Sequence, residues 1–286
     1  MDYVTLNNGI KMPMQGFGVF QVPDADICEQ AVTEALSVGY RFIDTASVYG
    51  NEQAVGTAIR KSGIPREEMF ITTKAWISEM GYDCTLRAFD ASLSRLRLEY
   101  LDLYLIHMPF GDYYGAWRAM EELYNSGRVR AIGVCNFELD RLIDLCHNAK
   151  VIPAVNQVEI HPYTQQTEAI RMMQSLCIQA EAWAPLAEGR KGLFTNVILS
   201  AIGRKYRKTA AQVVLRWLQQ RGVVAIPKSV HKERMIENFN VGDFALTEDD
   251  MITITAMNTD KSLILDLRSI AEIERLYGIC LLYTSP

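Results

Sequence analysis

Four side chains with acid–base chemistry stand at or just beyond the ends of apolar, strand-like runs. They are an aspartate, a tyrosine, a lysine and a histidine: Asp44, Tyr49, Lys74 and His107. Together they offer a carboxylate, a phenol, an ammonium and an imidazole, which are groups that proteins use to move protons. Any one of them alone is more simply a cap, a buried polar group or a surface ion pair. Their joint occurrence at three successive strand ends favours one shared site.

The runs that carry these residues predict a parallel barrel. Apolar runs bounded by helical patterns are typical of buried parallel strands in α/β units. We predict eight strands: 16–20, 41–44, 69–74, 101–107, 130–136, 154–157, 178–183 and 223–228. Eight such units in about 250 residues indicate a (β/α)8 TIM barrel, whose active site lies at the C-terminal ends of the strands. The pair Asn8-Gly9 predicts an N-terminal β-hairpin with a two-residue turn, which would plug the bottom of the barrel.

Helical patterns fill the segments between the predicted strands. Asp24 is a candidate N-cap for a helix that runs to Leu36 and stops at Gly39. Asp83 is a candidate N-cap for a helix that ends near Leu96. Further helices are predicted over 51–62, 114–126, 138–147, 166–175, 209–220 and 231–239.

The composition argues against several classes of function. The 286 residues carry a formal net charge of -5 with both signs dispersed, so there is no basic stripe for nucleic acid. No apolar run approaches the length of a membrane span, and the six cysteines show no metal-ligand spacing. The first residues lack the features of a secretory signal. We therefore expect a cytoplasmic protein with no metal, no nucleic-acid partner and no membrane partner, which binds a small molecule.

Five segments resemble the aldo-keto reductase family, in the order expected for that family. They are GYRFIDTASVYGNE at 39–52, LDLYLIHMP at 101–109, GRVRAIGVCNF at 127–137, PAVNQVEIHP at 153–162 and IPKSV at 226–230. The short loop after His107 resembles the microbial 2,5-diketogluconate reductase-like branch. The resemblance implies one barrel domain over 1–279 and the reduction of an aldehyde or ketone to an alcohol. Residues 280–286 do not resemble a family ending, and we expect a non-native or disordered tail there.

The resemblance also implies a role for each of the four polar residues. Carbonyl reduction needs a hydride at the carbon and a proton at the oxygen. Tyr49 would donate the proton, with the pKa of its phenol lowered by the Lys74 ammonium, and Asp44 would keep Lys74 charged and fixed. His107 would orient the carbonyl and stabilise the charge that develops on its oxygen.

The cofactor prediction starts from a missing motif. No G-x-G-x-x-G follows a predicted strand and opens a helix, so a Rossmann phosphate site is not supported. Barrels tend to hold phosphate near the ends of strands 7 and 8, here at Lys228 and the helix after it. The resemblance implies NADPH and these cofactor-binding residues: Gly18, Val19, Phe20, Asp44, Asn136, Gln157, Trp183, Leu186, Lys228, Ser229, Val230, Arg234, Glu237 and Asn238. His231 stands where close microbial relatives often have arginine, so the strictness of NADPH preference stays open.

Aromatic residues are expected to wall the reacting end of the site. Trp183 would stack on the nicotinamide, while Asn136 and Gln157 would hydrogen-bond its carboxamide. The predicted substrate-binding residues are Phe20, Tyr49, Trp76, His107 and Phe110. Ordinary loop packing explains the aromatic rings among them equally well. The substrate stays open among sugar-derived, aromatic and dicarbonyl compounds.

Two alternatives belong to other classes of function. The chain could be an NADPH-binding sensor or regulatory subunit with little turnover, although retention of all four polar residues argues against this. It could also be a barrel hydrolase that uses Asp44 and His107 with a metal, but the second and third ligands are missing. The family precedent implies a monomer.

Overall fold

The computed structural model describes residues 2–283, and it describes the side chains of residues 2–279. All eight predicted strands are present, and a two-stranded hairpin precedes them. The strands are β1 (Tyr3–Thr5), β2 (Lys11–Pro13), β3 (Phe17–Gly18), β4 (Phe42–Asp44), β5 (Phe70–Ala75), β6 (Leu101–Ile106), β7 (Val129–Cys135), β8 (Val155–Glu159), β9 (Gln179–Trp183) and β10 (Val224–Ala225).

Helices follow most of these strands. They are α1 (Ala25–Val38), α2 (Glu52–Ser62), α3 (Tyr82–Leu96), α4 (Tyr113–Asn125), α5 (Leu139–Asn148), α6 (Thr167–Ser175), α7 (Val197–Tyr206), α8 (Ala210–Gln220), α9 (Lys232–Phe239), α10 (Glu248–Thr255) and α11 (Ile270–Tyr283). Within the described part of the chain, no helix is long and apolar enough to cross a membrane.

The strands β3 to β10 form one parallel sheet in sequence order, and the sheet closes on itself. Gln15 and Ala225 form the parallel bridge at the closure. Beside it, the N–H of Gly16 donates to the carbonyl of Ala225 at 2.9 Å, and the N–H of Gly18 donates to the carbonyl of Pro227 at 3.2 Å. The predicted (β/α)8 TIM barrel is confirmed, and its strand ends meet around one mouth.

Apolar side chains pack on both faces of the barrel strands. Ile43 and Ile71 belong to the core between the strands and the helices. A second core fills the barrel interior below the mouth, and it contains Leu6, Met12, Phe42, Phe70, Leu103, Leu105, Ala131, Ala154, Val155, Val224 and Ile226. Because Leu6 and Met12 come from the hairpin, the predicted N-terminal plug is confirmed. Polar side chains near the mouth interrupt this apolar filling.

The turn of the hairpin differs from the prediction. The N–H of Leu6 donates to the carbonyl of Ile10 at 2.9 Å, which leaves a three-residue loop of Asn7, Asn8 and Gly9. Gly9 has a φ of 85°, in the left-handed region. A three-residue loop with glycine in this region is the next most common hairpin connection after the two-residue turn. The side chains of Asn7 and Asn8 donate to backbone carbonyls of the barrel, which favours the wider loop.

The two predicted N-caps have different outcomes. The side chain of Asp24 accepts from the third N–H of α1, and Gly39 ends this helix with a φ of 122°, as predicted. The prediction for Asp83 is wrong, because Gly81 holds the cap position of α3 and Asp83 lies in the first turn. The N–H of Gly81 donates to the carbonyl of Asp112 at 3.1 Å, which starts the helix earlier than the aspartate.

Three helices near the C-terminus differ from the predicted set. Helices α7 and α10 were not predicted, although Thr247 and Asp250 form a capping box at the start of α10. The sequence of residues 265–277 resembles the last helix of the family, but in the structure this helix, α11, begins only at Ile270. The tail predicted at 280–286 lies outside the residues whose side chains the structure describes.

Gly56 marks a close approach between α2 and α3. A methyl group at Gly56 would stand 2.2 Å from the backbone oxygen of Leu96, which cannot swing away. We expect Gly56→Ala to lower the free energy of unfolding by about 1–3 kcal/mol, measured by urea denaturation. Gly242→Ala is the matched control, because no atom lies within 4 Å of a methyl group there. Equal stability of the two variants would contradict the close approach.

Candidate active site

A cavity of about 730 Å³ opens at the C-terminal ends of the barrel strands. Asp44, Tyr49 and His107 line it, and Lys74 is fully buried and bonded to Asp44. The other predicted site residues that line it are Gly18, Phe20, Trp76, Asn136, Gln157, Trp183, Leu186 and Lys228. The volume is in the range of small-molecule sites. The prediction that the four polar residues share one site is consistent with this geometry.

Asp44 and Lys74 form a buried ion pair. Asp44 pairs in register with Thr72 on the neighbouring strand, and Lys74 lies two residues further along the same face. Its ammonium donates to Asp44 Oδ1 at 2.5 Å and to the carbonyl of Thr45 at 2.9 Å. Burial lowers the pKa of Lys74, but Asp44 and other nearby acids raise it by more, so Lys74 is charged.

Tyr49 is held over this pair by a short turn. It ends the 3₁₀ turn Ser47–Tyr49, which Gly50 closes in the left-handed conformation. The Lys74 ammonium lies 5.2 Å from the centre of the Tyr49 ring. Burial raises the pKa of Tyr49 above its ordinary value, and attraction to Lys74 opposes that rise only in part. The net direction is therefore upward, where we predicted a lowered pKa.

One buried and one half-buried polar side chain fix the loop that carries Tyr49. The Asn51 amide donates to backbone carbonyls of Val19 and Val22 at 3.0 and 3.2 Å, which ties this loop to the one after β3. Glu79 accepts from the Ser47 hydroxyl and from a backbone N–H of the loop after β5, both at 2.7 Å. The phenol is thus anchored from both sides.

His107 faces Tyr49 across the same cavity. Its ring lies 5.6 Å from the Tyr49 ring and 4.9 Å from the Trp76 ring, centre to centre. Burial and the charge of Lys74 hold the pKa of His107 well below its ordinary value, so the imidazole is neutral. His107 Nδ1 is buried and has no hydrogen-bond partner among the described residues. A neutral imidazole can donate one hydrogen bond to a ligand oxygen.

A hydrogen-bonded chain joins the predicted nicotinamide platform to the ion pair. Trp183 Nε1 donates to Asn136 Oδ1 at 2.8 Å, and Asn136 Nδ2 donates to Cys135 Sγ at 3.2 Å. Cys135 Sγ in turn donates to Gln157 Oε1 at 3.7 Å. Gln157 Nε2 donates to Asp44 Oδ2 at 3.0 Å. The two amides predicted to bind a carboxamide are therefore already oriented by the protein.

The phosphate end of the predicted cofactor site is only partly brought to this cavity. Lys228 and Arg234 are exposed, and neither side chain makes an ion pair or hydrogen bond in the described part of the chain. Glu237 instead accepts from the Thr209 hydroxyl, and Asn238 is buried. The predicted cofactor-binding residues that do not line the cavity are Val19, Ser229, Val230, Arg234, Glu237 and Asn238.

The C-terminal segment supplies lining residues that the sequence reasoning missed. These are Ile264, Leu265, Arg275, Leu276 and Ile279. Phe110 does not line the cavity; it packs behind it in the cluster that contains Trp76 and Leu276. Among the other lining residues, Gln21 Nε2 donates to Glu188 Oε1 at 3.1 Å, which joins two loops that line the cavity. No sequence pattern indicated that the chain would return over the mouth.

A nicotinamide dinucleotide fits the groups present, and a metal does not. Gly18 and Trp183 line the same cavity, and a methyl group at Gly18 would stand 3.1 Å from the backbone oxygen of Ile226, so the wall at Gly18 carries no side chain. Lys228 and Arg234 offer exposed cations for phosphate. Within the described residues, no group of three or more His, Cys, Asp or Glu side chains could hold a metal ion. The metal-dependent hydrolase therefore lacks its ligand set.

Barrel enzymes have their active sites at the C-terminal mouth of the barrel, which is where the acid–base residues of this chain lie. Residues 16–259 match the Aldo/keto reductase family. Glyoxal reductase of Bacillus subtilis (strain 168) is 49% identical over 261 residues, which cover 91% of this chain and 94% of that protein. The crystal structure of MGS-M4, an aldo-keto reductase from a Medee basin deep-sea metagenome library, has a TM-score of 0.91 and 45% identity and covers 93% of this chain and 99% of that chain. The Bombyx mori aldo-keto reductase in complex with NADP has a TM-score of 0.88 and 34% identity, over 93% of this chain and 95% of that chain.

The chain belongs to the aldo/keto reductase family, which confirms the resemblance seen in five sequence segments. Members of this family are oxidoreductases that use NADP(H), and the chain is an enzyme of this kind. The similarity to a bacterial relative extends over nine-tenths of its length.

Proposed function

We propose that this protein reduces a small aldehyde or ketone to an alcohol with NADPH, and that Tyr49 donates the proton. The observation that carries the proposal is the buried Lys74–Asp44 pair beside a half-buried tyrosine, with the neutral imidazole of His107 facing the same cavity. When bound, NADPH supplies the hydride. The protein must then deliver a proton to the carbonyl oxygen and stabilise the charge that develops on it.

Each polar residue has a distinct role in this proposal. Because the pKa of Tyr49 is raised, its phenol carries a proton at neutral pH and can donate it. The Lys74 ammonium stabilises the phenolate that remains, and Asp44 keeps the ammonium in place. His107 donates a hydrogen bond to the carbonyl oxygen and so orients the carbonyl toward Tyr49.

The cofactor would lie along one side of the cavity, from Trp183 to Lys228. Trp183 provides a flat surface for the nicotinamide, with the oriented amides of Asn136 and Gln157 beside it. The exposed cations Lys228 and Arg234 would bind the phosphate groups. The relative in Bombyx mori is described as a complex with NADP, which supports this choice of cofactor.

A spectrophotometric assay tests the proposed reaction. NADPH consumption would be measured with a panel of aldehydes, ketones and dicarbonyls that includes glyoxal, because a relative at 49% identity is named glyoxal reductase. Turnover that needs both NADPH and a carbonyl is the expected result. Tight NADPH binding without turnover on any carbonyl would contradict the enzyme and favour the NADPH-binding sensor.

Arg234→Ala should change the preference between NADPH and NADH. We expect KM for NADPH to rise roughly 10-fold, with kcat and KM for NADH nearly unchanged, because only NADPH carries the additional phosphate that a cation binds. Steady-state kinetics with both cofactors measure this preference. Arg60→Ala is the matched control, since Arg60 is an exposed arginine on α2. An equal rise in KM for both cofactors would place Arg234 outside the phosphate site.

Two expectations about the whole chain are part of the proposal. We propose a monomer, which light scattering at assay concentration would test. We also propose that residues 1–279 fold as one barrel domain and that residues 280–286 are not needed. Deletion of residues 280–286 should therefore leave the melting temperature and turnover unchanged.

A further inference from the structure

Glu181 is a buried carboxyl group to which the proposed reaction assigns no role. It lies in the middle of β9, two residues before Trp183, and it is 0% exposed. Its Oε1 accepts from Gln157 Nε2 at 2.9 Å. Its Oε2 is buried and has no hydrogen-bond partner among the described residues. An ionised oxygen left unpaired in this position would be far more costly than a neutral one.

Among the described residues, the groups around Glu181 do not include a cation of its own. Three titratable groups interact electrostatically with Glu181 from β4, β5 and β7, and they are Asp44, Lys74 and Cys135. On the adjacent strands, β8 presents Gln157 and β10 presents Val224, and neither is charged. The ammonium of Lys74 is already bonded to Asp44 at 2.5 Å. Two carboxyl groups therefore share one ammonium and one amide.

Electrostatics place the proton on Glu181 rather than on Asp44. Burial and the negative charge of Asp44 raise the pKa of Glu181 well above its ordinary value, against the opposing effects of Lys74 and Gln157. Burial raises the pKa of Asp44 as well, but Asp44 has the ammonium at contact distance, which favours its charged form. When two carboxyl groups share a site, the one without the cation retains the proton.

We propose that Glu181 is a neutral carboxylic acid that positions Gln157 between the two carboxyl groups. This inference rests on the function proposed above. Gln157 Nε2 donates to Asp44 and Glu181 together, so its amide cannot turn while both acceptors are present. Asp44 then stays directed at Lys74, and the amide oxygen of Gln157 stays on the side of Cys135 and Asn136. Glu181 itself does not line the cavity and is a positioning residue.

Substitutions of Glu181 test whether its hydrogen bond to Gln157 matters for cofactor use, or only its volume. Glu181→Leu fills the volume but offers no acceptor, and we expect kcat/KM for NADPH to fall roughly 10-fold. Glu181→Gln retains a neutral acceptor and should restore most of that loss. Val224→Ala is the control, because it makes a cavity beside Glu181 without removing an acceptor and should leave KM for NADPH unchanged. If Glu181→Gln lost as much as Glu181→Leu, the inference would be wrong.

Two measurements report the proton without depending on turnover. Infrared spectra of the wild-type protein at neutral pH should contain the carbonyl stretch of a protonated carboxylic acid, and Glu181→Gln should lack it. As pH rises from about 5 to about 8, the melting temperature of Glu181→Gln should also increase relative to that of the wild type. The wild type loses stability over this range because its native state keeps a proton that its unfolded chain releases above about pH 4.3. Glu181→Gln has no such proton and does not lose this stability. A missing infrared band would overturn the inference, whereas absence of carbonyl turnover with the band present would overturn only the proposed reaction.

Discussion

Tyr49→Phe should lower kcat for carbonyl reduction by about 10²- to 10⁴-fold, which is the usual contribution of a positioned proton donor. The change removes one oxygen atom and keeps the ring that packs 5.0 Å from Phe20 and 5.6 Å from His107. The Kd for NADPH should therefore stay within about threefold of the wild-type value. Steady-state kinetics and fluorescence titration with NADPH measure the two quantities.

Tyr3→Phe is the matched control, because Tyr3 is an exposed tyrosine in β1, at the opposite end of the barrel. The pH profile gives a second readout. Since the pKa of Tyr49 is raised, the rate of reduction should be flat through neutral pH and should fall only as pH rises through that pKa. Undiminished turnover in Tyr49→Phe would transfer the role of proton donor to another group.

The barrel was predictable because its strands and helices carry local signals. Strands buried on both faces appear as continuous apolar runs, and the end of each run places a residue at the mouth. Asp44, Lys74 and His107 could be located in this way from the sequence alone. The position of Tyr49 was harder to predict from the sequence, because it depends on a 3₁₀ turn and on a glycine in the left-handed conformation.

Long-range packing was less accessible to sequence reasoning. The path of the chain after α10, which brings Leu276 and Ile279 to the mouth, depends on loop contacts that leave no periodic pattern. The direction of the pKa shift of Tyr49 was also missed, because burial outweighs the attraction to Lys74. By contrast, the sequence could have placed Glu181 inside the barrel. Side chains two residues apart in a strand share a face, and Trp183 was predicted to line the mouth.

The Lys74–Asp44 pair predicts the largest loss of stability. In Lys74→Met the side chain keeps most of its apolar stem but loses the ammonium, so Asp44 is left buried without a cation. Breaking one partner of such a pair costs about 3–5 kcal/mol, so the free energy of unfolding at pH 7 should fall by that amount. Turnover should fall as well, because the phenolate of Tyr49 loses the ammonium that stabilises it. Chemical denaturation and steady-state kinetics measure the two effects.

The double variant Lys74→Met with Asp44→Asn separates stability from catalysis. Removing the unpaired charge should recover much of the lost stability, because an uncharged pair has no ion to desolvate. Turnover should not recover, since neither substitution restores the ammonium. The loss in Lys74→Met alone should also shrink as pH falls, because the unpaired Asp44, with its pKa raised by burial, takes up a proton in the folded state. If Lys74→Met were as stable as the wild type at pH 7, Asp44 would already be neutral at that pH. The site would then lack the anion that keeps Lys74 charged.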